Sequence, residues 1–214
     1  MTQILLIRHG ETAWNVERRL QGQIDIVLNA EGERQAAALG RALAQESLDA
    51  IYSSDLRRTL QTAQGIAEPR RMAVLPDRAL RERCYGALEG LLHGEVAQRY
   101  PQAYAAWRAR DPDSRFPDGE RRAETLREFY CRAVDAVTSL AERHPHGKIA
   151  LVTHGGVLEC VYRAARAMDL EAPRDFDIRN AAINRLSWDG AGWQITAWSE
   201  TVHLEEASLD EIDK

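Results

Sequence analysis

Three short apolar runs constrain this chain more than any other feature: residues 4–7 (Ile-Leu-Leu-Ile), 50–52 (Ala-Ile-Tyr) and 149–152 (Ile-Ala-Leu-Val). Each is too short for a core helix and too continuous for a half-exposed strand. Such runs read as strands buried on both faces, which occurs where helices cover both sides of a largely parallel sheet. The helices are legible between them. Asn29 is a plausible N-cap for a helix over 31–46, with acidic residues in its first turn. A second helix spans 55–68 and stops at Pro69, a third spans 124–144 and stops at Pro145, and a fourth spans 156–168.

Residues 183–188 and 193–198 instead alternate apolar and polar side chains around Asp189-Gly190-Ala191-Gly192. That pattern predicts an antiparallel hairpin, with Trp188, Trp193 and Trp198 as packing residues. Residues 91–122 break both periods; Pro101, Pro112 and Pro117 punctuate a mostly helical insertion long enough to lie over a site as a lid. The expected class is α/β: a three-layer α/β/α domain over 1–204 with a mostly parallel central sheet, an antiparallel edge hairpin and the helical lid insertion. An acidic, mobile tail is expected over 205–214.

Composition excludes several roles. A net charge of −5 argues against a general nucleic-acid binder, and there is no apolar run long enough to span a membrane. The first apolar run is followed at once by Arg8, so it reads as a strand and not a signal peptide, and the cytoplasm is the expected location. Cys84, Cys131 and Cys160 form no CxxC pair and are expected reduced. The six histidines form no ligand-spaced cluster, so no metal is expected; His93, His144, His146 and His203 are taken as surface or loop residues.

Polar motifs follow the apolar runs, where open α/β sheets bind ligands. Arg8-His9-Gly10-Glu11-Thr12, with Trp14-Asn15 beyond, follows the first. Ser53-Ser54-Asp55-Leu56-Arg57-Arg58 follows the second; Arg58 lies in the first turn of a helix, and Arg57 reads as a surface residue. Arg81-Glu82-Arg83, with Tyr85-Gly86, sits in a loop. Thr153-His154-Gly155-Gly156 follows the third run, and its glycines and helix N-terminus suit close approach of an anion.

These four motifs, in this order, resemble the histidine phosphatase superfamily, which includes the cofactor-dependent phosphoglycerate mutases, and the resemblance extends from Ile4 to about Leu204. It implies that His9 is a nucleophile that carries a phosphoryl group. Arg8, Arg58 and His154 would surround the phosphoryl oxygens, and Glu82 would donate a proton to the leaving oxygen. Gly10, Asn15, Gln21, Gly22, Tyr85 and Gly155 would contact substrate or phosphate. The chemistry is coherent: guanidinium forks match phosphate oxygens, and a neutral His9 and a protonated His154 suit attack and charge balance.

The lid departs from the mutase pattern. Adjacent arginines there hold a carboxylate, but here the run is Trp107-Arg108-Ala109-Arg110, and His93 stands where a lysine is expected. The resemblance therefore implies a phosphomonoester hydrolase acting on a small phosphorylated metabolite without a cofactor. The alternative is a mutase dependent on 2,3-bisphosphoglycerate, in which Arg108, Arg110, Arg121 or Arg122 reaches the carboxylate. A phosphoprotein phosphatase and a non-catalytic phosphate-binding module are weaker readings.

Overall fold

The computed structural model describes residues 1–204 and 209–210. Its strands are β1 (Thr2–Arg8), β2 (Ala50–Ser53), β3 (Val74–Pro76), β4 (Lys148–Thr153), β5 (Ile183–Trp188) and β6 (Trp193–Glu200). Its α-helices are α1 (Ala13–Glu17), α2 (Ala30–Ala42), α3 (Arg57–Ala67), α4 (His93–Arg99), α5 (Pro101–Arg108), α6 (Leu126–Glu142) and α7 (Gly155–Arg166). The strands form one sheet in the order β3-β2-β4-β1-β5-β6. β3, β2, β4 and β1 are parallel, while β5 runs antiparallel to β1 and β6 to β5.

Pleat alternation divides the apolar runs between two cores. Leu5, Ile7, Ile51 and Val152 face Leu39, Ala63 and Ile66 of α2 and α3. Ile4, Leu6 and Leu151 face Phe129, Val137 and Leu140 of α6 and Val157, Leu158 and Val161 of α7. The expected three layers are therefore present. Each fully buried Leu or Ile contributes about 1.5–3 kcal/mol through burial.

Local chemistry sets the helix ends. Asn29 caps α2 by accepting from Gly32 N at 2.8 Å. The helix ends at Ala42, short of the predicted residue 46, because Ala44 N and Glu46 N turn back to Arg41 O and Leu43 O in tighter i→i+3 bonds. Thr125 and Glu128 form a capping box that starts α6 two residues later than the pattern suggests. Ala167, left-handed at φ 51°, ends α7.

The edge hairpin forms as expected. Asp189 Oδ1 accepts from Ala191 N and Gly192 N across its turn, the Trp188 and Trp193 rings lie 4.8 Å apart, and Trp198 Nε1 donates to Asp177 O. The lid holds α4 and α5. It packs on a small core of its own, in which Val96 and Phe116 meet Leu20, Leu88 and Ala123.

Of the acidic tail, residues 205–208 and 211–214 lie outside the described residues. Leu209 and Asp210 are described and lie against the segment before β5. Leu209 O accepts from Asn180 N, and Asp210 Oδ1 accepts from Ile178 N at 2.6 Å. No helix among the described residues is long and apolar enough to cross a membrane.

Candidate active site

The parallel strands end on the same side of the sheet, so their carboxyl ends gather Arg8 and His9 from β1, Ser54 after β2 and His154 after β4. Arg58 joins them from the first turn of α3.

His9 is 3 % exposed, and its Nδ1 lies 2.7 Å from Gly10 O. A carbonyl only accepts, so Nδ1 carries the ring proton and Nε2 presents a free lone pair. Burial, then the charges of Arg58 and Arg8, push the His9 pKa well below the ordinary value; the bond to Gly10 O opposes them. Asn180 Nδ2 holds the His9 carbonyl at 2.9 Å.

Arg58 is fully buried. Its Nη1 donates to Ile24 O at 2.9 Å and its Nη2 to Gly22 O at 2.7 Å, while buried Nε has no hydrogen-bond partner among the described residues. Burial lowers its pKa to about 10, against the attraction of Glu82 and Asp25, so it stays cationic at neutral pH. Gly22 can serve as acceptor because it sits at φ +50°, where a Cβ would strike the Glu89 carboxylate. Arg8 Nη1 donates to Ile178 O at 2.7 Å.

His154 is 1 % exposed, its ring centroid is 5.3 Å from that of His9, and its Nε2 lies 2.9 Å from Ser54 Oγ. Nδ1 is buried and unpartnered among the described residues. Burial first, and then Arg58, hold the His154 pKa well below the ordinary value, which favours the neutral ring in the free protein. If the Ser54 hydroxyl donates to Nε2, the neutral ring carries its hydrogen on Nδ1 and supplies one donor.

Each carboxylate oxygen of Glu82 accepts a backbone N–H, from Arg83 at 2.8 Å and from Gly156 at 3.0 Å. A Cβ at position 156 would overlap Glu82 Oε1 and press on the Phe129 ring, so a side chain there would displace the carboxylate. Arg132 fastens the loop by donating to Ala79 O, Arg81 O and Glu82 O. Asn15 Oδ1 accepts from Thr12 N and Thr12 Oγ1, which leaves its NH₂ group as a donor.

Arg8, His9, Asn15, Gln21, Gly22, Arg58, Glu82 and Tyr85 line one cleft, as the motifs suggest. His154, Gly10 and Gly155 do not form its wall: His154 stands behind it against the His9 ring, and Gly10 N donates to Thr62 Oγ1. The two lid arginines do not reach the cleft. Arg108 is exposed at the end of α5, and Arg110 pairs with Glu159 and donates to Leu170 O. Arg121 and Arg122 also lie outside the cleft wall.

Sequence reasoning missed Arg19, Leu20 and His93, which complete the wall. His93 is thus not the plain surface residue expected; its ring lies 4.9 Å from Trp107. An isolated bridge between Arg19 and Leu92 brings these segments together, and no periodicity announces it. Ser54 and Arg132 had no signal beyond residue type. Among the described residues no three His, Cys, Asp or Glu side chains are grouped to hold a metal.

The buried neutral histidines carry a pH consequence. Both folded pKa values lie below the unfolded value of 6.5, so the unfolded chain binds more protons as pH falls through that region. Their contribution to stability is complete above pH 6.5 and is lost as pH drops toward the folded values. Urea unfolding across pH 7.5 to 5 should show falling stability, less steep in His154→Gln. Equal slopes would contradict a neutral buried His154.

A cleft with a free imidazole nitrogen facing two guanidiniums and a carboxyl group is built for an anionic electrophile. The sequence pattern of the histidine phosphatase superfamily, branch 1, matches residues 4–201, and the chain belongs to that superfamily. It is 38 % identical over 211 residues to phosphoglycerate mutase-like protein 4 of Arabidopsis thaliana, covering 97 % of this chain and 89 % of that protein. It is 36 % identical over 213 residues to the metal-independent phosphoserine phosphatase of the same plant, covering 98 % and 86 %. Among solved structures, YhfR of Bacillus stearothermophilus superposes with a TM-score of 0.85 at 32 % identity, covering 96 % of this chain and all of that one.

Proposed function

We propose that this protein hydrolyses the phosphate monoester of a small metabolite through a phosphohistidine on His9. The observation that carries the reading is the His9 Nδ1 bond to Gly10 O, which aims an unprotonated Nε2 into a cleft walled by Arg8, Arg58 and Glu82. The likeness to a phosphoserine phosphatase supports a small phosphorylated substrate.

In the first step Nε2 attacks phosphorus. The bond to the leaving oxygen breaks, and a protonated Glu82 gives that oxygen its proton. Arg8, Arg58 and the Nδ1–H of His154 receive the charge on the equatorial oxygens, while Asn15 orients the ester. In the second step the Glu82 carboxylate takes a proton from water as that water attacks phospho-His9. The products are inorganic phosphate and free His9, and Glu82 is protonated for the next turn. This charge balance needs no metal and no organic cofactor.

The mutase reading, with 2,3-bisphosphoglycerate as cofactor, draws on relatives with mutase names. Against it stand Arg108, exposed, and Arg110, committed to Glu159, so neither lid arginine is placed to hold a substrate carboxylate. One purified sample should separate the readings. Phosphate release from a panel of phosphorylated metabolites, including both phosphoglycerates and phosphoserine, is expected to be fast and indifferent to 2,3-bisphosphoglycerate. Rapid interconversion of 3- and 2-phosphoglycerate with negligible phosphate release would make it a mutase.

A further inference from the structure

A second cavity lies beside the cleft, between the lid and helices α6 and α7. Tyr85, Trp107, Phe116 and Phe129 give it an aromatic wall, and Arg83 lies within it. Arg83 is 6 % exposed. Its Nε donates to Glu124 O at 3.0 Å, and its Cζ lies 4.6 Å from the Phe116 ring centroid and 5.5 Å from that of Tyr85. Neither terminal nitrogen makes a hydrogen bond to a described residue.

A guanidinium buried in this way is costly, and burial indeed lowers its pKa. The charges of Glu124 and Glu82 oppose that shift without cancelling it, and neither carboxylate hydrogen-bonds the guanidinium: Glu124 pairs with Arg132 and accepts from Cys84 N, and the Glu82 oxygens accept backbone N–H groups. The other cations of the cavity, buried Arg163 and half-buried Arg110, are satisfied. Arg163 bonds Glu159, Asp169 O and Ala172 O, and Arg110 bonds Glu159 and Leu170 O. The terminal donors of Arg83 are therefore left for a ligand.

The position identifies which ligand. Tyr85 lines both spaces, and Gly156, whose N–H holds Glu82, also lines the cavity. The cavity thus begins where the leaving oxygen would receive its proton. We infer that it is the leaving-group subsite, and that the preferred substrates are phosphate monoesters whose leaving group joins a flat or apolar body, set against the aromatic wall, to a carboxylate held by Arg83. This rests on the hydrolase reading.

The test uses two esters that differ in one group, phenyl phosphate and 4-carboxyphenyl phosphate. The wild-type protein should favour the carboxylated ester in kcat/KM. Arg83→Met should reduce that ester's kcat/KM roughly 10- to 100-fold, the scale of hydrogen bonds to a charged partner, and lower that of phenyl phosphate far less. Arg83→Lys should restore part of the preference. Independently of any variant, 4-hydroxybenzoate should inhibit phenyl phosphate turnover competitively where phenol at equal concentration does not.

Equal losses on both esters with no return in Arg83→Lys, no loss on either, or non-competitive or absent inhibition by 4-hydroxybenzoate would overturn the subsite while phenyl phosphate turnover leaves the hydrolase reading standing. Failure to turn over any ester, with no phosphate trapped on His9, would remove both.

Discussion

Alanine at position 9 is expected to abolish turnover and, with it, any phosphate trapped covalently on the protein. His9 is the imidazole of the cleft wall that lies among the charges of both cleft arginines with its Nδ1 held by a backbone carbonyl, whereas the wall's other imidazole, His93, packs on Trp107. Loss of a nucleophile that acts together with its neighbours costs on the order of 10⁴–10⁶ in kcat. The measurement is a rapid quench into alkali after mixing with labelled substrate, comparing the wild-type protein with His9→Ala. Label surviving in the variant would place the nucleophile elsewhere, and His154 would be the first position to examine. The fold should tolerate the change, since the His9 backbone keeps its bonds to Thr153 and Asn180.

The second large effect is expected at Arg58. Alanine there should lower kcat/KM by on the order of 10²–10³, comparable to removing a transition-state donor from a water-poor site. Part of the loss would be indirect. Two guanidinium hydrogens hold Gly22 O and Ile24 O, so the loop carrying Gln21 and Gly22 loses its anchor. Arg58→Lys separates the two parts. A lysine restores charge but not the fork, and should recover activity only weakly. Near-normal activity in Arg58→Ala would mean that the phosphoryl group sits away from this guanidinium. Full recovery by lysine would mean that geometry matters less than charge.

Much of this architecture was legible because its signals are local. Apolar runs of four residues, the Asn29 cap and the prolines that follow helices each act within a turn or two of chain, and the observed elements depart from the pattern by only a few residues. β3 escaped because three residues ending in Pro76, paired on one side alone, carry no period to detect. The cleft residues that share a motif with a strand end were readable; those brought in from other loops were not. Arg19 and His93 meet the cleft through pairing between segments some seventy residues apart, and Arg110 leaves it because Glu159 on α7 offers a closer carboxylate. Such outcomes depend on which side chains become neighbours, and the order of residues along the chain does not state that.

The lid's separate small core has a consequence for inheritance. Leu20, Leu88, Val96, Phe116 and Ala123 interlock apart from both clusters that hold the sheet. Substitutions within that knot can reshape the roof while the phosphoryl-handling floor, fixed by strand ends, keeps its form. A lineage with this layout can exchange one metabolite for another by drift in a single patch, keeping one reaction step throughout. Ancestry would then be recorded in the floor and diet in the roof.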